Sequence, residues 1–275
     1  MPLITYRSRI APTPTGDMHV GHARTFVEVW RRTEAASGSL VLRIEDLDPL
    51  RCRDEWTERA IDDLTWLGVR WSEGPVFQSR RRFVYEDVWR ALRDAGHLYP
   101  STISRREMRD AAHAPHEDEE GAEPIFPPEL RPPIGVGREA EHPAGTVWRF
   151  RVPDGEVVRF IDASCGEQAF TAGVDFGDFI VWRKDDVPAY ELAVVADDVA
   201  MGITEVVRGE DLLRSTARQL LIYRALGATP PTWCHLPLVR DETGRRLAKR
   251  HQSLSIRELR ERGLSPDEVL ALATS

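Results

Sequence analysis

The chain has 275 residues, enough for one large domain or two modest ones around a real hydrophobic core. Its 45 acidic against 37 basic residues leave a formal charge of -8, which argues against nonspecific coating of nucleic acid but permits local basic patches such as Arg80-Arg81-Arg82 and Arg245-Arg246 with Lys249-Arg250. There is no secretory leader after Met1 and no apolar run of membrane-spanning length. Cys52, Cys165 and Cys234 fall in no paired spacing, so the expectation is a cytoplasmic protein with reduced thiols and no membrane contact.

Tyr6 to Ala11 is expected to form a first strand, with Pro12 and Pro14 forcing an extended exit. A helix follows from Gly21 to Ala36, with Ala23, Phe26, Val27 and Trp30 on its buried stripe. Leu40 to Ile44 has the composition of a buried parallel strand. Helices are expected at Asp54 to Leu67 and at Phe83 to Ala95. From His113 to Pro143 this rhythm breaks. The acidic run Glu117-Asp118-Glu119-Glu120 and seven prolines predict a mobile, acidic surface loop or an insertion.

Thr146 to Val152 and Val157 to Ile161 then resemble short antiparallel strands. After Asp178 the α/β rhythm is expected to return, with strands at Phe179 to Arg183 and Ile203 to Val207 and helices at Tyr190 to Ala200 and Asp211 to Leu226. Ser255 to Glu258 has capping-box spacing, and Pro266 suits the first position of a last helix. Strands alternating with helices at this pitch predict an α/β, doubly wound parallel-sheet domain. The expected division is 1–97 and 178–250 for its two halves, 98–177 for an inserted subdomain, and 251–275 for a short helical C-terminal segment.

The segment from Arg9 to His22 is a strand, a small-residue turn and a helix start. Helix N-termini bind phosphate, and Gly16 and Gly21 allow close backbone approach to a nucleotide. His19 and His22 stand where they could donate to phosphate oxygens; taken alone, HxGH reads better as two surface histidines at a helix cap. Only two of the 37 basic residues are lysine, Lys184 and Lys249, which hints that a compact, mobile ammonium is wanted in the loop Arg246-Leu247-Ala248-Lys249-Arg250.

In context the run from Arg9 to His22 resembles the HIGH signature of class I aminoacyl-tRNA synthetases, and its lead-in resembles the glutamyl branch. Leu42-Arg43-Ile44-Glu45-Asp46-Leu47-Asp48, Trp66-Leu67-Gly68, Gln78-Ser79-Arg80 and a degenerate KMSKS loop at Arg246 to Arg250 follow in that branch's order. Ala189 to Asp198 and Val206 to Leu213 resemble stretches of the short glutamyl-Q members, which lack an anticodon-binding half. The chain ends where a full-length glutamyl enzyme would continue, and this favours the same members.

The resemblance implies a Rossmann-type catalytic domain with an acceptor-binding-like insertion. It also implies ATP-dependent activation of L-glutamate, without need of tRNA, and transfer of the glutamyl group to queuosine in tRNA(Asp). Arg9 and Arg208 would clamp the side-chain carboxylate, and a guanidinium fork would leave a glutamine amide facing donors. Glu45 would accept the α-ammonium, helped by Thr13 and Tyr190, with Ala11 on the same wall. Pro12, Gly16, His19, Gly21 and His22 with Arg246, Leu247, Ala248, Lys249 and Arg250 would surround ATP and its Mg2+. His19, His22 and Lys249 would neutralise charge during an in-line displacement.

The short members commonly carry a zinc site that opens with C-x-C; here Ser101 and Ile103 occupy those places, and His97, His113 and His116 are weak substitutes, so no zinc and no other bound metal is expected. A monomer is favoured. The rival readings are a truncated glutamyl-tRNA synthetase charging the tRNA end, a non-catalytic module binding glutamate or nucleotide, and another nucleotidyltransferase. A glycosyltransferase DxD at Asp46 and Asp48 falls behind these.

Overall fold

A computed structural model of the chain describes residues 5–103, 125–239 and 255–272. Strands β1 (Arg7–Ile10), β2 (Ser39–Ile44) and β3 (Glu73–Phe77) pair in parallel in that order. Helices α1 (Val20–Ala35) and α2 (Asp54–Trp66) carry the chain back between them. Leu40, Val41, Leu42 and Ile44 are buried on both faces of β2, the mark of a strand covered by helices on either side. α3 (Arg82–Asp94) leads into β4 (Leu98–Ser101).

A second sheet runs β7 (Gly166–Thr171), β6 (Val157–Asp162), β10 (Thr232–Leu236), β9 (Glu205–Gly209). β10 is parallel to β9 along its length and to β6 at Trp233–Asp162, whereas β6 and β7 form an antiparallel hairpin. β9 lies beside β1: Thr204 N donates to Arg7 O at 2.8 Å, and the Ser8 hydroxyl donates to Glu205 O at 2.8 Å. Strand order therefore reverses between β1 and β9. Ligand sites of open α/β sheets form at the carboxyl ends of strands beside such a reversal. Helices α4 (Tyr190–Ala200) and α5 (Leu213–Ala225) flank this half.

The strand expected to restart the parallel rhythm, β8 (Phe179–Trp182), instead pairs antiparallel with β5 (Val147–Phe150), which pairs with β4. The sequence pattern of a short buried strand does not distinguish these partners. The described part of the acidic stretch, 125–143, also differs from the mobile loop expected. Phe126 is buried against Tyr99, and Arg131 grips both carboxylate oxygens of buried Asp178, with Nε at 2.7 Å and Nη2 at 2.8 Å. Asp178 also takes bonds from the Tyr99 hydroxyl at 2.5 Å and Val152 N at 2.8 Å. Proline richness here accompanies anchorage.

Two short helices, α6 (Ile256–Glu261) and α7 (Pro266–Leu272), close the described chain. Ser255 and Glu258 form the expected capping box. Ile256 N donates to Met18 O at 2.8 Å, and Arg257 and Arg260 reach Asp62 of α2. This docks the C-terminal segment beside the turn before α1.

Candidate active site

β1, β2, α4 and β9 bring Arg9, Glu45, Tyr190 and Arg208 to one place, at the sheet's carboxyl edge and the start of α4. Arg43, fully buried, is the hub beneath them. Its guanidinium donates to Asp198 at 2.6 Å and to Glu45 at 3.0 Å, with Asp197 3.9 Å away. Arg9 Nε donates to the same Asp198 oxygen at 3.3 Å. Asp197 is held in turn by Gln78 at 2.8 Å, Arg81 at 2.7 Å and the Tyr85 hydroxyl at 2.9 Å. Buried charges are tolerated when paired and hydrogen-bonded in this way.

The network sets the state of its acids. Burial pushes the Glu45 carboxyl above its usual range, although Arg43 and Arg9 pull it down. Burial would raise Asp198 too, but there Arg9 and Arg43 win and hold it below the usual range. Asp46 accepts from Ser79 N at 2.8 Å and from its hydroxyl at 2.6 Å, which fixes the turn carrying Gln78. Asp48 pairs with Arg51 and Arg183, so the two acids of the DxD pattern are occupied with structure.

Arg208 sits in β9 with its own set of partners. Nε donates to His235 Nε2 at 3.1 Å, Nη2 donates to the Thr216 hydroxyl at 2.6 Å, and Nη1 lies 3.4 Å from the Tyr190 hydroxyl. His235 is wholly buried, and its Nδ1 is 2.6 Å from Asp162.

The other end of the cleft is the turn before α1. Glu45 N donates to Pro12 O at 3.0 Å, tying this turn to the end of β2. His19 is the N-cap of α1: its Nδ1 accepts from Gly21 N at 3.1 Å, and His22 Nδ1 accepts from His19 N at 3.2 Å. With both Nδ1 atoms accepting, each neutral ring carries its proton on Nε2 as a donor. The rings stack with centroids 3.8 Å apart. A Cβ at position 21 would stand 2.9 Å from the His19 ring, so a larger residue there would have to displace that ring.

Two adjoining cavities flank these rings. One of about 240 Å³ is lined by Ala11, Pro12, Thr13, Gly16, Met18, His22 and Phe26. The other, about 230 Å³, runs from Ala11, His19, Gly21 and His22 to Gly209, Asp211 and Leu238. Ala11 follows Arg9 by two residues and Gly209 adjoins Arg208, so the second cavity is lined by chain neighbours of two members of the charged cluster. A larger recess of about 420 Å³ opens on the outer side, between Gly16–His19 and Arg257 and Glu258 of α6.

Of the residues expected around a triphosphate, Arg246, Leu247, Ala248, Lys249 and Arg250 lie outside the described residues, as do His113 and His116. Among the described residues no group of three or more His, Cys, Asp or Glu side chains is placed to hold a metal. At the positions compared with C-x-C, the Ser101 hydroxyl is buried and Ile103 packs on the Tyr99–Phe126 cluster, a setting that does not fit zinc. No helix among the described residues is long and apolar enough to cross a membrane.

Sequence reasoning did not single out Arg43, Asp197, Asp198, Asp162, Thr216 or His235. The neighbouring aspartates in the run Ala189 to Asp198 were a usable signal, since paired acids inside an apolar helix need cations.

The sequence model of the family described as "tRNA synthetases class I (E and Q), catalytic domain" matches residues 5–273. The glutamyl-Q tRNA(Asp) synthetase of Nitratidesulfovibrio vulgaris is 45% identical over 94% of this chain and 82% of that protein. The protein of the same name from Symbiobacterium thermophilum is 44% identical over 95% and 83%. The glutamate–tRNA ligase of Desulfosudis oleivorans is 39% identical over 96% of this chain, which spans 55% of that protein. Among solved structures, a glutamate tRNA ligase from Elizabethkingia meningosepticum, crystallised with its amino acid, superposes with a TM-score of 0.76 at 27% identity, covering 94% of this chain and 53% of that one.

Proposed function

Because the chain belongs to the class I tRNA synthetase family for glutamate and glutamine, in its catalytic domain, we propose that it activates L-glutamate with ATP and passes the glutamyl group to queuosine in tRNA(Asp). The observation that carries this reading is the clustering of Arg9, Glu45, Tyr190 and Arg208 on elements whose neighbouring residues Ala11 and Gly209 line a cavity shared with the His19–His22 turn at the start of α1.

Glutamate enters with its side-chain carboxylate between Arg9 and Arg208 and its α-ammonium toward Glu45 and the Tyr190 hydroxyl. The α-carboxylate then faces the nucleotide. One of its oxygens attacks the α-phosphorus of ATP in line, the bond to the bridging oxygen breaks, and pyrophosphate leaves. His19 and His22 donate through Nε2 to the phosphate oxygens, and the positive end of the α1 dipole adds to them. By the family resemblance Lys249 would supply a further cation to the triphosphate. Mg2+ brought in with ATP would offset part of the triphosphate charge.

Choice of glutamate over glutamine follows from the fixed guanidinium donors, which an amide NH2 would leave unpaired. The names of the relatives that the chain matches over four fifths of their length support queuosine-bearing tRNA(Asp) as acceptor. The test is transfer of labelled glutamate to tRNA(Asp) with and without queuosine. Label retained only on the queuosine form supports the proposal; label on the 3′ end of a glutamate tRNA would favour the ligase reading.

A further inference from the structure

We propose that the buried Asp162–His235 pair, with Thr216, is a positioning device that fixes the guanidinium plane of Arg208 and thereby sets glutamate selectivity; this rests on the placement of glutamate against Arg208 proposed above. The parts come from three elements. Asp162 ends β6, His235 lies in β10, and Thr216 is in the first turn of α5. The single parallel register between β6 and β10, at Trp233–Asp162, brings the acid under the imidazole.

Asp162 is itself immobilised. Its Oδ1 accepts from Ser164 N at 2.9 Å and Cys165 N at 2.8 Å, and its carboxylate accepts from His235 N at 3.1 Å. Its remaining bond, 2.6 Å to His235 Nδ1, makes that nitrogen the protonated one. His235 Nε2 is therefore a lone pair, and it accepts from Arg208 Nε. The opposite state would set an N–H against an N–H beside a guanidinium. Burial and the Arg208 charge also disfavour the doubly protonated ring and push the His235 imidazole below its ordinary value, although Asp162 pulls the other way.

Thr216 takes Nη2 at 2.6 Å. One edge of the guanidinium is thus spent on the protein, and Nη1 is left turned toward Tyr190. An arginine on a flexible stem can adjust to a carboxylate or an amide. One whose plane is set from behind by two acceptors presents donors in one geometry, and the cost of an unmatched amide is realised in full. None of these three residues touches the proposed substrate; they act through Arg208.

The experiment compares His235→Asn with His235→Gln in the full chain. Asparagine keeps a donor at the Nδ1 position for Asp162 but has no acceptor at the Nε2 position; glutamine places an acceptor oxygen there. His235→Asn is expected to raise the KM for glutamate at least 10-fold and to cut discrimination against glutamine about 10-fold, with the KM for ATP changed less than 2-fold. His235→Gln is expected to restore most of both. Thr216→Val should give a smaller change of the same kind, and it decides the matter should thermal melting show that His235→Asn does not fold.

Equal losses for ATP and glutamate, no rescue by glutamine, or unchanged selectivity in both His235→Asn and Thr216→Val would overturn the proposal. If the unaltered chain neither binds nor activates glutamate, the functional reading itself fails. If it does both and the variants stay selective, only the positioning device falls.

Discussion

At the proposed amino-acid end the charges are buried and already paired, whereas at the proposed nucleotide end they are half-exposed rings, glycines and backbone. Arg43 and Asp198 lie out of water and hold Arg9 and Glu45 before any substrate arrives. Around His19 the structure is made instead from a helix N-cap and a glycine against which the ring packs. One end is preorganised by side chains from distant elements, the other by the local geometry of a single turn. Selectivity needs fixed donors, because an adjustable one forgives the wrong ligand. A triphosphate that changes shape as pyrophosphate departs is better met by small groups and a helix dipole.

The largest effect should come from the braced end. Arg208→Ala is expected to lower kcat/KM for glutamate by about 10³-fold while the KM for ATP stays within about 3-fold, in line with removing one partner of a buried charge pair; equal losses for both substrates would erase the contrast. His22→Ala should reverse the pattern, with kcat down about 10²-fold and glutamate affinity nearly unchanged in equilibrium binding. Glu45→Gln comes next, with glutamate binding weakened about 10- to 100-fold as a charge-assisted bond is lost. Its pH dependence carries the sharper test. Burial raises the Glu45 carboxyl, so on acidification the unaltered chain should lose glutamate affinity above the range where ordinary carboxylates protonate. The variant should lose that limb, and identical pH profiles would remove Glu45 from ammonium binding.

The smallest effect probes a buried acid that lacks the network's compensation. Asp63 of α2 is 1% exposed, its oxygens have no hydrogen-bond partner among the described residues, and Arg257 is 4.0 Å away. Burial raises its carboxyl to about 6. A pKa raised in the fold gives stability that is full below the unfolded value near 4 and is lost as pH rises through about 6. Asp63→Asn should therefore stabilise by about 1–2 kcal/mol at pH 7.5 and by little at pH 4, as read from thermal melting. A destabilised variant at pH 7.5 would mean that the pairing with Arg257 dominates.

Helix periodicity was legible almost to the residue: α4 has its expected bounds, and α1, α2 and α3 shift by one. What escaped were strands whose sequence carries little pattern. β3 is an exposed edge strand containing Pro75, β4 contains Pro100, and β10 follows Pro230-Pro231 and carries the buried His235. The motif positions at the amino-acid end could be marked from sequence because each sits in a recognisable run. Their supports could not. Arg9 and Asp198 are 189 positions apart, and Asp162 and His235 are 73 apart. Only the adjacency of β1 to β9 and of β6 to β10 pairs them. The lysine-bearing loop, for its part, lies outside the described residues.

The central claim is that one recess joins a glutamate-reading network to a phosphate-binding helix start. ATP–pyrophosphate exchange, run without tRNA and with L-glutamate or L-glutamine as the only amino acid, tests it most directly. Exchange is predicted with glutamate and at least about 10³-fold less with glutamine, as expected where buried donors would be left unpaired. Equal exchange with the two amino acids, or none with glutamate while ATP and glutamate both bind, would contradict it.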